Sequence, residues 1–181
     1  EIDESGNIVA SNQSSAISLT QAYLDEDLKK TNAYGESYYE LEAGEYCVSA
    51  NLTLKYPIQI NAASGGEVKL YADGNYKISC AEDFDNSANS AMIALPMSAG
   101  TLTLGGGEGT LTIDGSGISS LMYLILSQST LILQDNCTIT NGNVTYTAIY
   151  VSAGTFTMTG GTITNIHSTK DASEGYGAGI H

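Results

Sequence analysis

The sequence predicts an all-β solenoid built from repeats of about 24 to 31 residues, each supplying three short strands. The prediction comes from residues 100–115, 129–142 and 154–165, which share a Thr-apolar alternation, a turn, a second Thr-apolar alternation and then Asp or Asn. Because side chains alternate along a strand, each repeat has an apolar side that only neighbouring repeats can bury. The 20 glycines and two prolines fit a chain that turns often.

The repeats align on their threonines, and the alignment predicts which side chains face the core. The equivalent threonines are Thr101, Thr130 and Thr155 in the first strand and Thr110, Thr138 and Thr162 in the second. The strand that precedes each pair is predicted at 93–95, 122–124 and 149–151, and a fourth begins at 179–181. The predicted inward residues of these repeats are Leu102, Leu104, Leu111, Ile113, Leu131, Leu133, Ile139, Phe156, Met158 and Ile163.

Residues 154–165, with the sequence GTFTMTGGTITN, and residues 177–180, with the sequence GAGI, resemble a known fold family. They are similar to right-handed parallel β-helix proteins of the pectate-lyase-like superfamily, and most similar to bacterial adhesin-like surface proteins. The resemblance extends from about Tyr46 to the end of the sequence. It implies a parallel β-helix and an extracellular or cell-surface location, but this architecture hosts lyases, hydrolases, adhesins and passive stalks, so it does not choose among functions.

The N-terminal part is predicted to be a leader followed by a cap. Residues 1–17 are polar and lack periodicity, which indicates a flexible leader or linker, and 18–181 form the capped solenoid. The capping-box spacing at Ser18 predicts a short amphipathic helix that ends near Lys29 and Lys30 and covers the first turn.

Between residues 46 and 80 the sequence predicts strands at 46–49, 51–55, 58–61, 67–71 and 76–80. The residues predicted to face inward are Tyr46, Val48, Leu52, Leu54, Ile58, Ile60, Val68, Leu70, Ile78 and Cys80. Together with the later repeats this gives about five turns of three strands. Residues 81–90 and 166–176 interrupt the repeats, and we expect both to be surface loops. The strand entered at Ile180 predicts a C-terminal truncation, an open edge and end-to-end self-association.

Charge and cysteine content narrow the classes of function. Twenty acidic residues against six lysines give a net charge of −14, which argues against nucleic acid and anionic membranes as partners. No stretch is long and apolar enough for membrane insertion, and the start at Glu1 fits an exported or trimmed protein. The three cysteines suggest neither a disulfide framework nor a zinc site; a Cys47–Cys80 bridge is the alternative, although strand alternation opposes it.

A catalytic centre is not indicated. The sequence TIDGSG at residues 112–117 resembles a corner of pectin-degrading hydrolases, but glycosidic cleavage needs paired carboxylates and the lyases need an Arg or Lys base. Asp114 aligns instead with Asn141 and Asn165, which predicts a ladder of turn-capping side chains. His167 and His181 lack the partners of a triad, so we predict no catalytic residue and no cofactor.

The sequence disfavours two further ligands, calcium and ice. Oxygen-bearing side chains at Asp83, Asp85 and Asn86 match no defined calcium loop, so no metal site is predicted. Aligned threonines suggest an ice-binding face, but Thr is favoured in any exposed strand and Ile132 interrupts the neighbouring row.

The candidate binding residues are Tyr123, Tyr150 and His181. The alignment puts them, after Ala94, at successive outward positions about 4.8 Å apart, as a platform for sugar rings or as mutual stacking that stabilises the sheet. The leading hypothesis is a non-catalytic extracellular, adhesin-like module that binds glycan or protein ligands. A fragment of a polysaccharide lyase or glycoside hydrolase and a passive structural spacer are the alternatives.

Overall fold

A computed structural model describes residues 16–63, 65–118, 121–170 and 177–181, and it is all-β with one short helix among these residues. In chain order the elements are β1 (Ile17–Leu19), α1 (Gln21–Glu26), β2 (Lys29–Thr31), β3 (Ser37–Glu42), β4 (Gly44–Val48), β5 (Leu52–Leu54), β6 (Ile58–Asn61), β7 (Glu67–Ala72), β8 (Tyr76–Cys80), β9 (Ala91–Leu95), β10 (Thr101–Leu104), β11 (Leu111–Asp114), β12 (Tyr123–Ser127), β13 (Thr130–Leu133), β14 (Cys137–Thr140), β15 (Asn143–Val144), β16 (Thr147–Val151), β17 (Thr155–Met158), β18 (Thr162–Thr164) and β19 (His167–Ser168).

The strands form three main sheets, and each sheet takes one strand from every repeat. Sheet 1 has the order β1-β4-β7-β10-β13-β17, sheet 2 has β5-β8-β11-β14-β18, and sheet 3 has β2-β3-β6-β9-β12-β16. Neighbouring strands are parallel except β2 and β3, which are antiparallel. From β4 onward the chain visits sheets 1, 2 and 3 in turn, and a small fourth sheet joins β15 to β19.

The predicted core is confirmed over most of its length. The apolar residues of alternate positions in β4 to β14 are buried, for example Val68 and Leu102 at 0% exposure. Cys80 is only partly buried, and in the edge strands Phe156 and Ile163 are half-buried and Met158 is 45% exposed. Each fully buried Leu, Ile or Val contributes about 1.5–3 kcal/mol relative to an exposed one.

The predicted N-terminal helix is shorter and begins later than expected. Residues 17–19 form β1 instead, which pairs with β4, because Ile17 and Leu19 alternate towards the core beside Tyr46 and Val48. The helix cap is therefore Thr20, whose hydroxyl accepts the Tyr23 N–H at 3.3 Å, rather than Ser18. The two lysines predicted at the helix end lie in β2. Of the predicted leader, residues 1–15 lie outside the described residues.

Sheet 3 departs from simple alternation at the same place in three successive strands. Consecutive residues have 0% exposure in all three: Ala91, Met92 and Ile93 in β9, Leu124 and Ile125 in β12, and Thr147, Ala148 and Ile149 in β16. The predicted alignment of the strand at 122–124 with its neighbours is wrong by three residues, because Ile125, and not Met122, pairs with Ile93 and Ile149. The continuous apolar run from Leu121 allowed both registers, so periodicity did not choose between them.

The threonine alignment is confirmed in sheet 1 and, for Thr138 and Thr162, in sheet 2, but it is wrong for Thr110. Thr101 pairs with Thr130, and Thr130 with Thr155. In sheet 2 it is Thr112, not Thr110, that pairs with Thr138. A slip of two residues keeps every side chain on the same face of a strand, so the predicted burial was right although the register was not.

Glycines at repeat boundaries allow the close stacking of strands. Gly100 and Gly154 precede β10 and β17, and both have left-handed backbone, with φ of 79° and 83°. A Cβ at Gly100 would overlap the backbone of Gly66, and one at Gly154 would overlap Ser129. The Gly-Thr pair that begins two of the repeats is therefore set by backbone geometry.

Candidate functional site

Four aromatic side chains stack beside sheet 3, and we call them the aromatic row. Their order is Tyr146, Tyr123, Tyr150 and His181. The ring centroids are 5.7 Å apart between Tyr146 and Tyr123, 4.9 Å between Tyr123 and Tyr150, and 5.5 Å between Tyr150 and His181. The rings of Tyr123 and Tyr150 are nearly parallel, with an interplanar angle of 11°.

The structure brings the three predicted residues together, but by a different register from the predicted one. Tyr150 pairs with Leu126 of β12, and the bridge between Ile149 and Ile180 places His181 next along the same row. Tyr123 pairs with Thr147, three residues earlier. Its ring nevertheless stacks on Tyr150, so the predicted contact holds while the predicted backbone alignment is corrected.

The stacking determines which parts of the rings can meet a ligand. Tyr123, Tyr146 and Tyr150 are half-buried, and His181 is exposed. Tyr150 stacks between Tyr123 and His181, which come from the repeats on either side of it, so a ligand meets the edge and hydroxyl group of Tyr150 rather than its faces. Each stacked pair contributes about 0.5–1.5 kcal/mol beyond its buried area, so the row is held rigid before any ligand arrives.

Sequence reasoning missed Tyr146 and Lys170. Tyr146 lies just before β16, where its backbone N–H donates to the Met122 carbonyl at 3.1 Å. The Lys170 Nζ lies 5.9 Å from the centre of the Tyr146 ring. Lys170 belongs to the predicted surface loop at 166–176, of which 171–176 lie outside the described residues. Neither residue belongs to the repeat pattern. Tyr146 directly precedes β16 and Lys170 follows β19, and these positions bring both residues close to the row.

A small pocket lies next to the row on the same face of sheet 3. Its volume is about 80 Å³, and its lining consists of Asn89, Ala94, Leu95, Pro96, Leu126 and Gln128. Leu126 joins the two features, because it lines the pocket and pairs with Tyr150. Asn89 comes from the predicted loop at 81–90, which thus lies beside sheet 3. The pocket was not predicted, since it depends on the path of that loop.

Asp114 is a structural carboxylate that links three successive repeats. Its Oδ1 accepts the Ser116 N–H at 3.0 Å and Asn141 Nδ2 at 3.1 Å, and its Oδ2 lies 3.4 Å from Lys77 Nζ. Burial raises the pKa of Asp114, but these hydrogen bonds outweigh burial and hold the pKa below its ordinary value. The side chain caps its turn and contacts Asn141 as predicted, although in the backbone Asp114 pairs with Thr140.

Two of the other polar residues that the sequence singles out, Asp85 and His167, have local partners. Asp85 accepts the Ser87 N–H at 3.0 Å, which lowers the pKa of that carboxyl. No group of three or more His, Cys, Asp or Glu side chains lies within metal-binding reach among the described residues. His167 lies in β19, paired with Asn143.

The three cysteines are free thiols, and Cys47 and Cys80 lie in different sheets. Burial raises the pKa of both Cys80 and Cys137 to about 12, so these two thiols are poor nucleophiles near neutral pH. The structure thus has no bridge between Cys47 and Cys80, which was the alternative from the sequence, because both thiols are free.

Within the part of the chain that the structure describes, no helix has the length and apolar character needed to span a membrane. Comparison of the chain with protein-family models, with curated proteins and with solved structures returns no match.

Proposed function

We propose that the chain is a non-catalytic extracellular surface module of the adhesin-like type, and that the aromatic row is its contact surface for glycans. The three parallel sheets, visited in turn, support its assignment as a right-handed parallel β-helix of about five turns, similar to the pectate-lyase-like superfamily. In such a fold the outer faces and the loops are available to partners.

The observation that carries the proposal is the stacked row of Tyr146, Tyr123, Tyr150 and His181. Tyr side chains combine an apolar ring with a hydroxyl group, which suits a sugar whose C–H and O–H groups alternate. Because the rings are already fixed by one another, binding loses little side-chain entropy. The net charge of −14 favours neutral over anionic polymers and disfavours nucleic acid as a partner.

Catalysis is disfavoured by the state of the one carboxylate that the sequence motif singles out. Asp114 is held by three donors and has a lowered pKa, so it is ill suited to donate a proton to a leaving group. Release of reducing or unsaturated ends from any tested polysaccharide would revive the lyase or hydrolase alternative.

The test is binding to a panel of neutral polysaccharides and host-surface glycans by the native protein, Tyr150→Ala and Tyr34→Ala. Tyr34 is the matched control, because it is 90% exposed and lies outside the row. We expect Tyr150→Ala to weaken binding by roughly two- to tenfold, the equivalent of one lost aromatic contact, and Tyr34→Ala to bind normally. Equal binding by both variants would remove the row as the site, and no binding by the native protein would leave the passive-spacer alternative.

A further inference from the structure

The pocket beside the aromatic row has both apolar and polar residues in its lining. Ala94, Leu95, Pro96 and Leu126 supply apolar surface, and the carboxamides of Asn89 and Gln128 supply the polar groups. Its volume of about 80 Å³ is several times the roughly 10–15 Å³ that a cavity needs to hold one water molecule. The pocket therefore has room for a substituent of a few heavy atoms.

A side-chain hydrogen bond to Gln59 of β6 holds Asn89 in position. Its Nδ2 donates to the Gln59 side-chain oxygen at 3.4 Å, and Gln59 pairs with Ala94 in sheet 3. This contact uses a donor of Asn89 and keeps its Oδ1 as an acceptor. Gln128 is fixed through its backbone, where its N–H donates to the Leu95 carbonyl at 2.8 Å. Its side-chain amide carries N–H donors.

A group that suits this lining has an apolar part as well as polar atoms that donate and accept hydrogen bonds. A plain alkyl group would remove the two carboxamides from water without satisfying them, which costs free energy. A hydroxyl group would leave the apolar lining residues without an apolar contact. An acetamido group meets both demands, because its methyl group is apolar, its N–H can donate to Asn89 and its carbonyl can accept from Gln128.

We propose that this pocket binds the acetamido group of an N-acetylated amino sugar whose ring contacts the aromatic row. The inference rests on the proposed glycan-binding function and adds its specificity. Leu126 connects the pocket to the aromatic row, since it lines the pocket and lies one strand from Tyr150, at a spacing of about 4.8 Å. A sugar that contacts the edge of the Tyr150 ring can thus direct a substituent into the pocket.

The experiment compares sugars that differ only in this substituent. Chitotetraose and cellotetraose form one matched pair, and the galacto-configured monosaccharides with and without the acetamido group form a second. We expect the N-acetylated member of at least one pair to bind roughly tenfold more tightly, from one added hydrogen bond and one buried methyl group. Equal affinity within both pairs overturns the inference while leaving glycan binding intact, whereas no binding of any neutral glycan overturns the proposed function itself.

Two variants then assign the preference to the pocket. Ala94→Leu fills it and should reduce the tenfold preference to about one while binding of the unacetylated sugar is retained. Asn89→Ala changes only the loop side of the pocket and should reduce the preference if Ala94→Leu fails to fold. Thr138→Leu, at a half-buried outward position of sheet 2, is the control and should keep the full preference. A preference that survives in both Asn89→Ala and a folded Ala94→Leu places the determinant elsewhere and overturns the inference.

Discussion

The first and last strands of the three main sheets differ in how their free edges are covered. At the N-terminal end, β1 lies on sheet 1 and β2 forms an antiparallel hairpin with β3 on sheet 3. On sheet 2, the Gln21 side chain accepts the Thr53 N–H at 2.8 Å and donates to the Thr53 carbonyl at 3.1 Å, as a neighbouring strand would. Leu24 of α1 is fully buried above the same end.

At the opposite end the same repeat pattern is only partly covered. Leu131 and Leu133 of β13 are 0% exposed, but the residues that pair with them in β17 are the half-buried Phe156 and the 45%-exposed Met158. The comparison teaches that an apolar strand position becomes core only when another repeat or a cap lies over it. Sequence pattern sets the direction in which a side chain points, and stacking sets how much it contributes to stability.

The largest expected effect comes from truncating matched residues in adjacent repeats. We expect Leu133→Ala to lower the free energy of unfolding by about 2–5 kcal/mol, because it opens a cavity in the core. Met158→Ala, at the paired position in β17, should cost about 1 kcal/mol or less, because much of its side chain is in water already. Denaturant unfolding of both variants gives the difference, and equal costs would contradict the comparison between the covered and uncovered repeats.

A smaller effect should come from removing the side-chain cap of sheet 2. Gln21→Ala deletes both hydrogen bonds to Thr53 and should lower the free energy of unfolding by about 1–2 kcal/mol. Hydrogen exchange of the Thr53 amide should become faster, while amides in β11 remain protected. Glu26→Ala, at an exposed position at the other end of α1, is the control. Unchanged exchange at Thr53 would mean that the side chain does not cap this edge.

The sequence predicted the three-strand repeat and nearly all of the core, because both depend on a period of two that a register slip of two residues does not disturb. It misaligned Thr110 for that reason. It misplaced β12, and Tyr123 with it, because the apolar run from Leu121 to Leu126 fits two registers. The pocket and Tyr146 depend on the paths of non-repeating segments, for which a repeat alignment gives no information.

The last prediction concerns association through the uncovered end, which we propose for the 181-residue chain. Strands β17 and β18 lie at the edges of sheets 1 and 2, and Phe156 and Met158 of β17 expose apolar surface there, as Ile180 does next to β16 of sheet 3. Open edges with apolar side chains favour pairing between copies, while the net charge of −14 opposes it. We therefore expect the mass measured by light scattering to rise with protein concentration, and to rise further as salt screens the repulsion.

Met158→Glu tests whether this end is the surface that associates. A charge that points along the apolar side of β17 should abolish the association, as inward-pointing charges protect natural edge strands, and it should change the free energy of unfolding by less than about 1 kcal/mol. Thr157→Glu adds the same charge one residue away, on the opposite side of the strand, and should associate nearly as the native protein does. Equal loss of association in the two variants would point to net charge rather than to this edge, and a native protein that stays monomeric at high salt would contradict the proposal directly.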